Sequence, residues 1–319
     1  MEKEMRRMSL KQADRIEITT LVDSYTEIFM KSTEFVKRNP LIQEGDICLP
    51  LLAEHGLSWL IDIYEGSNHH QIMLDAGWTD IPIPYNIKNM GTNLDNVEAL
   101  VLSHGHLDHY GGIFGLYRDG IIPKEATFVA HPDAFNRRVI KLPTGTNFMM
   151  PHMKKYPLEG LGVTIHENKE PVLLADGFAL VTGEVERVTD FEISLPEQWK
   201  YEDGEIRPDH DTLDDQGIIF NVKDKGLVVL QSCSHSGIIN NILYAKKLTG
   251  QNTVYAVLGG LHLSGHWESR TPATIAEIKK EQPALLVATH CTGWNSMLAF
   301  QREMPEEFSA NSVGAKICL

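Results

Sequence analysis

A chain of 319 residues, 42% of them hydrophobic, is long enough to bury a sizeable core without disulfide support. Its formal net charge of −14 repels a phosphate backbone and argues against a nucleic-acid partner. The four cysteines (Cys48, Cys233, Cys291 and Cys318) form no C-x-x-C pair, the start from Met1 to Asp14 lacks an apolar signal-type run, and no stretch reaches the length of a membrane span. The expectation is a cytoplasmic protein with reduced thiols, a small-molecule substrate and neither a nucleic-acid nor a membrane partner.

Within residues 10–38, Ile16, Ile18, Leu21, Val22, Tyr25, Ile28, Phe29, Phe35 and Val36 fall at spacings that predict a helix ending near Asn39 and Pro40. Residues 1–44 are therefore expected to be an N-terminal helical extension, packed on the main domain or pairing a homodimer. Residues 45–319 are the main domain. Strands are predicted over 48–54 and 57–64, on either side of a turn at His55 and Gly56, then over 71–74, 99–102, 127–130, 178–182, 217–222 and 227–230. A helix over about 238–248 is closed by Gly250. A strand over 253–258 runs into Gly259 and Gly260. Thr271, as N-cap before Pro272, opens a helix to about Glu281, and 284–289 is the last strand. Residues 141–160 and 192–215 read as long loops shaping a pocket mouth. The acidic residues between Asp209 and Asp215 read as an exposed loop, since the spacing of a calcium loop is absent. Alternating strands and helices argue for sheets with helices on their outer faces.

The most informative stretch holds His104, His106, Asp108 and His109, directly after a buried-type strand and punctuated by Gly105, Gly111 and Gly112. Imidazole nitrogens and carboxylate oxygens suit zinc, iron or manganese. In an extended loop, alternate residues share a side, so His104, His106 and Asp108 point one way and His109 the other. The loop then offers two rings to one ion, and a carboxylate with a ring to a second. Further candidates stand at strand ends: Cys233 and His235 after 227–230, His262 after Gly259 and Gly260, and His290 after 284–289. Ligands at the ends of several strands converge at one edge of a sandwich.

The stretch from Ser103 to Gly112 resembles the H-x-H-x-D-H signature of the metallo-β-lactamase superfamily. Leu74-Asp75-Ala-Gly77 and Thr289-His290 resemble its first and last motifs. Glu54-His-Gly-Leu-Ser58, Thr182-Gly-Glu184, Ser232-Cys-Ser-His-Ser-Gly237, Gly259-Gly-Leu-His-Leu263 and Thr289-His-Cys-Thr-Gly293 are similar to one branch, the 7,8-dihydropterin-6-methyl-4-(β-D-ribofuranosyl)aminobenzene-5′-phosphate synthase-like proteins. The resemblance implies an α+β fold, a four-layer αββα sandwich, binding two divalent ions, zinc first and iron or manganese as alternatives. It implies His104 and His106 as ligands of one ion and Asp108, His109 and His290 as ligands of the other. His235, or Cys233, stands where a bridging aspartate is usual, and Glu184 where a third-motif histidine is usual. Asp75 orients the metal loop by hydrogen bonding, and His55 is a further supporting residue.

Ions held this way acidify water and polarise an ester, lactone or phosphodiester, with Asp108 as the catalytic carboxylate. A metal-dependent hydrolase is the first expectation. The branch implies an alternative, a transferase coupling a dihydropterin pyrophosphate to a ribofuranosylaminobenzene phosphate in methanopterin-type biosynthesis. A non-hydrolytic iron oxidoreductase is the third. No Ser-x-x-Lys or Gly-x-Ser-x-Gly nucleophile motif competes.

Overall fold

A computed structural model of the chain describes residues 7–43, 45–142, 144–192, 198–202 and 204–319. Met1 to Arg6 and Glu44 of the expected extension, and residues 143, 193–197 and 203 of the expected loops, lie outside the described residues.

Two eight-stranded sheets face each other. The first runs in the order Ile165–Glu167, Thr127–Ala130, Val97–Val101, Asn68–Leu74, Ser58–Glu65, Arg15–Val22, Lys316–Cys318, Val36–Lys37. The second runs Val172–Leu174, Ala179–Val181, Ile218–Val222, Gly226–Leu230, Val254–Gly260, Leu285–Thr289, Phe308–Ala310, with Gln12–Ala13 pairing alongside Ile218–Val222. Period-two alternation sorts each strand between two cores. Trp59, Ile61 and Ile63 meet Phe220, Val228 and Leu258 between the sheets. Leu60, Met73 and Leu100 face outward against Ile113, Leu116 and Tyr117. On the opposite side, Val229, Val257 and Leu286 pack under Ile242, Ile278 and Phe300, from the helices Ile238–Thr249, Thr271–Glu281 and Trp294–Glu303. Helix, sheet, sheet, helix is the expected four-layer sandwich. No helix among the described residues is long and apolar enough to cross a membrane.

The expected N-terminal helix is corrected. Arg15–Val22 is a strand in the middle of the first sheet, antiparallel to both Ser58–Glu65 and Lys316–Cys318. Ile16 and Ile18 share the inter-sheet core at a spacing of two. A register shift between Thr20 and Val22 then turns Leu21 and Val22 to the outer core, which mimics a helical spacing in the sequence. The content of Ile, Thr and Val favours the strand. No helix is found over the described residues of 23–38, where Ile28 and Phe29 are exposed. The segment is thus part of the main sandwich.

Two further expectations change. Residues 48–54 form no strand. The expected long loops supply three strands that join Arg137–Lys141 in a four-stranded antiparallel sheet, in the order Asn147–Met149, Arg137–Lys141, Gln198–Glu202, Glu205–Pro208, which covers the site. Its strands are joined across about sixty residues of sequence, so no local hairpin signal advertises the central pairing. Elsewhere the predicted strands are found within a few residues of their expected ends. Gly250 closes its helix in the left-handed region at φ 72°. Thr271 is the first helical residue rather than the cap.

Candidate metal centre

The chemistry-bearing loops all follow the C-terminal ends of strands that run parallel in one sheet or the other. Asp75 follows Asn68–Leu74, and His104 follows Val97–Val101. Cys233 and His235 follow Gly226–Leu230, His262 follows Val254–Gly260, and His290 follows Leu285–Thr289. Because both sheets present these ends at the same edge, side chains far apart in sequence meet there.

The loop after Val97–Val101 stays extended only to His106; Leu107–Tyr110 is a short helix. The expected alternation therefore stops at His106. His109 turns toward the cluster rather than away, with Nε2 3.4 Å from Asp108 Oδ2. Gly105 is required in the extended part: a Cβ there would lie 2.1 Å from the Ala134 carbonyl oxygen.

His104 Nε2 lies 2.9 Å from His106 Nδ1 and 3.1 Å from His235 Nε2. Asp108 Oδ2 lies 3.3 Å from His290 Nε2 and 3.6 Å from His55 Nε2. Cys233 Sγ is 3.2 Å from His109 Nε2. Cys233 offers its sulfur both to the group of His104 and His235 and to the group of His109 and His290, each within 4.8 Å. The predicted ligands His104, His106, Asp108, His109, His235 and His290 are thus all brought together.

A network orients the rings of His104, His106 and His109. His109 Nδ1 donates to Asp75 Oδ2 at 2.7 Å, which turns Nε2 toward the cluster. Ser103 Oγ donates to Asp75 Oδ2 at 2.7 Å, so its lone pair receives His104 Nδ1–H at 2.9 Å, freeing Nε2. His106 Nε2–H donates to Gln198 Oε1 at 2.7 Å, so here Nδ1 is free. The amide of Gln198 is oriented by Asp209 and Thr212, all acceptors around its Nε2. Asp75 thus has the orienting place expected of it.

Burial pushes the His104 and His235 imidazoles well below the ordinary histidine range, and neighbouring histidines push them the same way. Burial, with Arg138 nearby, takes His106 down to about 4. Burial works against the Asp108 carboxylate, but His109 and His290 outweigh it and hold the group ionised well below the usual carboxylate range. Burial opposes charge on His109 too, yet Asp108 and Asp75 raise it well above the ordinary value. Three neutral imidazoles therefore crowd lone pairs against one another while a carboxylate stands ionised beside them. The His235 Nδ1 atom is buried without a hydrogen-bond partner among the described residues. Buried polar atoms of this kind call for a partner, and the donor set of nitrogen, oxygen and sulfur fits a divalent cation.

The centre opens into a cavity of about 770 Å³. Its lining includes His55, Trp78, Asp108, Cys233, His262, His266 and Trp267 from the sandwich, and Ile140, Lys141, Leu142, Met150 and Gln198 from the covering sheet and its flanks. His262 and Cys233 are in the site as expected, and His55 stands at its mouth. Glu184 is not: its carboxylate takes the Nε2–H of His131 at 3.1 Å and pairs with Lys169, outside every group able to hold an ion and outside the cavity lining. Its acidic neighbourhood in sequence carried no information about which way the side chain turns. The expected exposed acidic loop is also corrected. Asp209, Asp214 and Asp215 are buried. Asp209 and Asp214 hold the fully buried Arg138, and Asp214 Oδ2 accepts from Gly105 N at 2.7 Å, bracing the metal loop.

Gln198 and Arg138 carried no motif that singles them out, and Ser103 and Ser232, though inside quoted motifs, were given no role. His131 could have been found by the strand-end rule, since it follows Thr127–Ala130. Glu54 anchors the neighbouring turn by accepting from Trp78 N at 2.7 Å and Thr79 N at 3.0 Å.

A two-sheet sandwich carrying this histidine and aspartate cluster at the strand ends of one edge defines a class of protein, and the chain belongs to it: the family model of the metallo-β-lactamase superfamily matches residues 52–245. The chain is an enzyme of that superfamily. It is 32% identical over 274 residues to the 7,8-dihydropterin-6-methyl-4-(beta-D-ribofuranosyl)-aminobenzene-5'-phosphate synthase of Methanocaldococcus jannaschii, covering 83% of this chain and 90% of that protein. An uncharacterized protein of the same organism is 32% identical over 247 residues, 77% of this chain and 86% of the relative. Among solved structures, a metal-dependent hydrolase of the beta-lactamase superfamily superposes with a TM-score of 0.70 at 21% identity, covering 95% of this chain and 98% of the other. That likeness confirms the fold.

Proposed function

We propose that the chain is a metal-dependent enzyme that cleaves an ester, lactone or phosphoester bond of a small molecule. His104, His106 and His235 would hold one divalent ion, and Asp108, His109 and His290 a second. Cys233 is within reach of both. The observation that carries the reading is the convergence of five imidazoles and an ionised carboxylate on one open cavity. Divalent ions held there supply Lewis acidity toward a carbonyl or phosphoryl oxygen.

The residues supply the rest. Asp75 holds the ring orientation of His109 and Gln198 the tautomer of His106, so the ligand nitrogens are aimed before anything binds. Asp108 Oδ2 can accept a hydrogen bond from an attacking nucleophile and orient it, because His109 and His290 keep the carboxylate ionised. His55, 3.6 Å from Asp108 and largely exposed, is placed to pass a proton to solvent. Trp78 and Trp267 wall the cavity and limit water around the substrate. Zinc is the first choice for this donor set, with iron and manganese after it.

A second reading is a transferase, in which an organic nucleophile replaces water as the acceptor. It is favoured by the likeness to a synthase over 83% of the chain, and the cavity has room for two reactants. The test is elemental analysis of protein purified without added metal, followed by turnover of a phosphodiester, a lactone, and a dihydropterin pyrophosphate with and without a ribofuranosylaminobenzene phosphate. Hydrolysis with water alone supports the first reading, and turnover only with the second substrate present supports the transferase. His106→Ala should lose most bound metal while staying folded; unchanged metal content in that variant would overturn the site.

A further inference from the structure

Beneath the histidine and carboxylate groups, three side chains converge that the mechanism does not use together. We infer that Cys233, His262 and Cys291 form a separate thiophilic metal position, which goes beyond the proposed hydrolytic centre and shares only Cys233 with it. Their sulfur and nitrogen ligand atoms all lie within 4.8 Å of one another. Both cysteines are free and buried, at 3% and 9% exposure.

His262 gives the independent sign of a ligand. Both of its ring nitrogens are shielded from solvent, and the neighbour they have to bond with is the Cys291 thiol. One thiol can meet only one end of an imidazole, so the other buried nitrogen is left unmet at a cost. The ring is enclosed by His235 and Trp267, with centroids at 4.3 and 4.5 Å. The sequence also clears space for sulfur. A Cβ on Gly260 would lie 2.7 Å from Cys291 Sγ and 2.3 Å from the Ser232 carbonyl oxygen. Only glycine at this position lets the Cys291 thiol sit beside Cys233.

Two sulfurs and one imidazole select zinc, cadmium or copper(I) and discriminate against magnesium and calcium. As each metal–sulfur bond forms, the thiol proton leaves to solvent. Three protein ligands leave one coordination position, and all three residues line the cavity, so that position faces the substrate space.

Cadmium-113 NMR of the reduced, metal-stripped full chain loaded with cadmium tests this. The wild type should show a downfield resonance of mixed sulfur and nitrogen ligation, apart from the resonances of nitrogen and oxygen ligation. Cys291→Ser and His262→Gln should each abolish the downfield resonance and keep the others; if the serine variant does not fold, the glutamine variant decides. A wild-type spectrum lacking the downfield resonance, or one left unchanged by His262→Gln, overturns the assignment. Loss of only the nitrogen and oxygen resonances, as expected in His106→Ala, reports on the hydrolytic centre; their absence from the wild type would sink that reading and leave this one standing.

Discussion

Asp75 receives the Nδ1–H of His109 at 2.7 Å, joining two residues 34 positions apart in the middle of the protein with no exposure on either side chain. The same carboxylate takes the Ser103 backbone N–H at 2.7 Å and the Ser232 hydroxyl. It therefore ties the metal loop of one sheet to a strand end of the other.

Asp75→Asn is expected to keep the fold and weaken metal binding. An amide cannot accept from His109, both serines and the Ser103 N–H at once, so the His109 ring is no longer held in place. Loss of such a supporting partner costs about 10–100-fold in metal affinity. Chelator competition measures it; an affinity within a factor of two of wild type would show that the carboxylate does not orient the ligand.

Gln198→Leu removes the acceptor that holds the His106 Nε2–H. Metal affinity should again fall by about 10–100-fold. Nitrogen-15 spectra of the histidine rings in metal-free protein should show His106 as one tautomer in the wild type and a mixture in the variant. A variant with a single unchanged tautomer would assign the orientation to something other than Gln198.

Gly105→Ala should lose bound metal, and Gly120→Ala should keep it. The first puts a Cβ 2.1 Å from a backbone oxygen and 2.5 Å from Arg138 Nη1, so the metal loop must move. Overpacking of this kind costs about 1–3 kcal/mol, beyond which metal content should drop. Gly120, at φ 66°, has nothing within 4 Å of its added Cβ, and only the left-handed backbone penalty of about 1–2 kcal/mol applies. Urea unfolding with metal analysis separates the two: equal metal content in both variants would contradict the packing argument.

Burial raises Asp209 from 3.8 to about 6, and Asp214 adds to the rise while Arg138 opposes it. An acid raised in the folded state stabilises the fold while protonated. That stability is fully present below pH about 4 and is lost as pH rises through about 6. Asp209→Asn removes the titration. Between pH 4 and 7 the variant should therefore gain on the wild type by up to about 3 kcal/mol in unfolding free energy. A difference that stays constant across this window would show that Asp209 does not titrate there.

Legibility differed between element types. The strands over 127–130, 218–222 and 226–230 and the helix ending at Gly250 were readable because alternation, caps and a left-handed glycine are local. Arg15–Val22 was misread because its register shift breaks the period of two just where Leu21 and Val22 begin. Most of the covering sheet was read as loops because its central strands, Arg137–Lys141 and Gln198–Glu202, find each other only in space. Glu184 looked like a ligand by its place in a motif, yet its direction is set by His131.

By itself, the sequence determined the donor atoms: His104, His106, Asp108 and His109 crowd one short stretch, and no sequence-distant event is needed to make that stretch metal-seeking. It also determined that further ligands stand at strand ends, because the residues after apolar runs are local features. Only the tertiary structure decided which of those ends face the same edge, how the rings of His104, His106 and His109 are oriented, and that Arg138 and the acidic residues near 209–215 are buried supports rather than surface. Those outcomes depend on pairing between strands and on hydrogen bonds spanning tens to hundreds of positions. Their energies are fixed by distance in space, which no local pattern encodes.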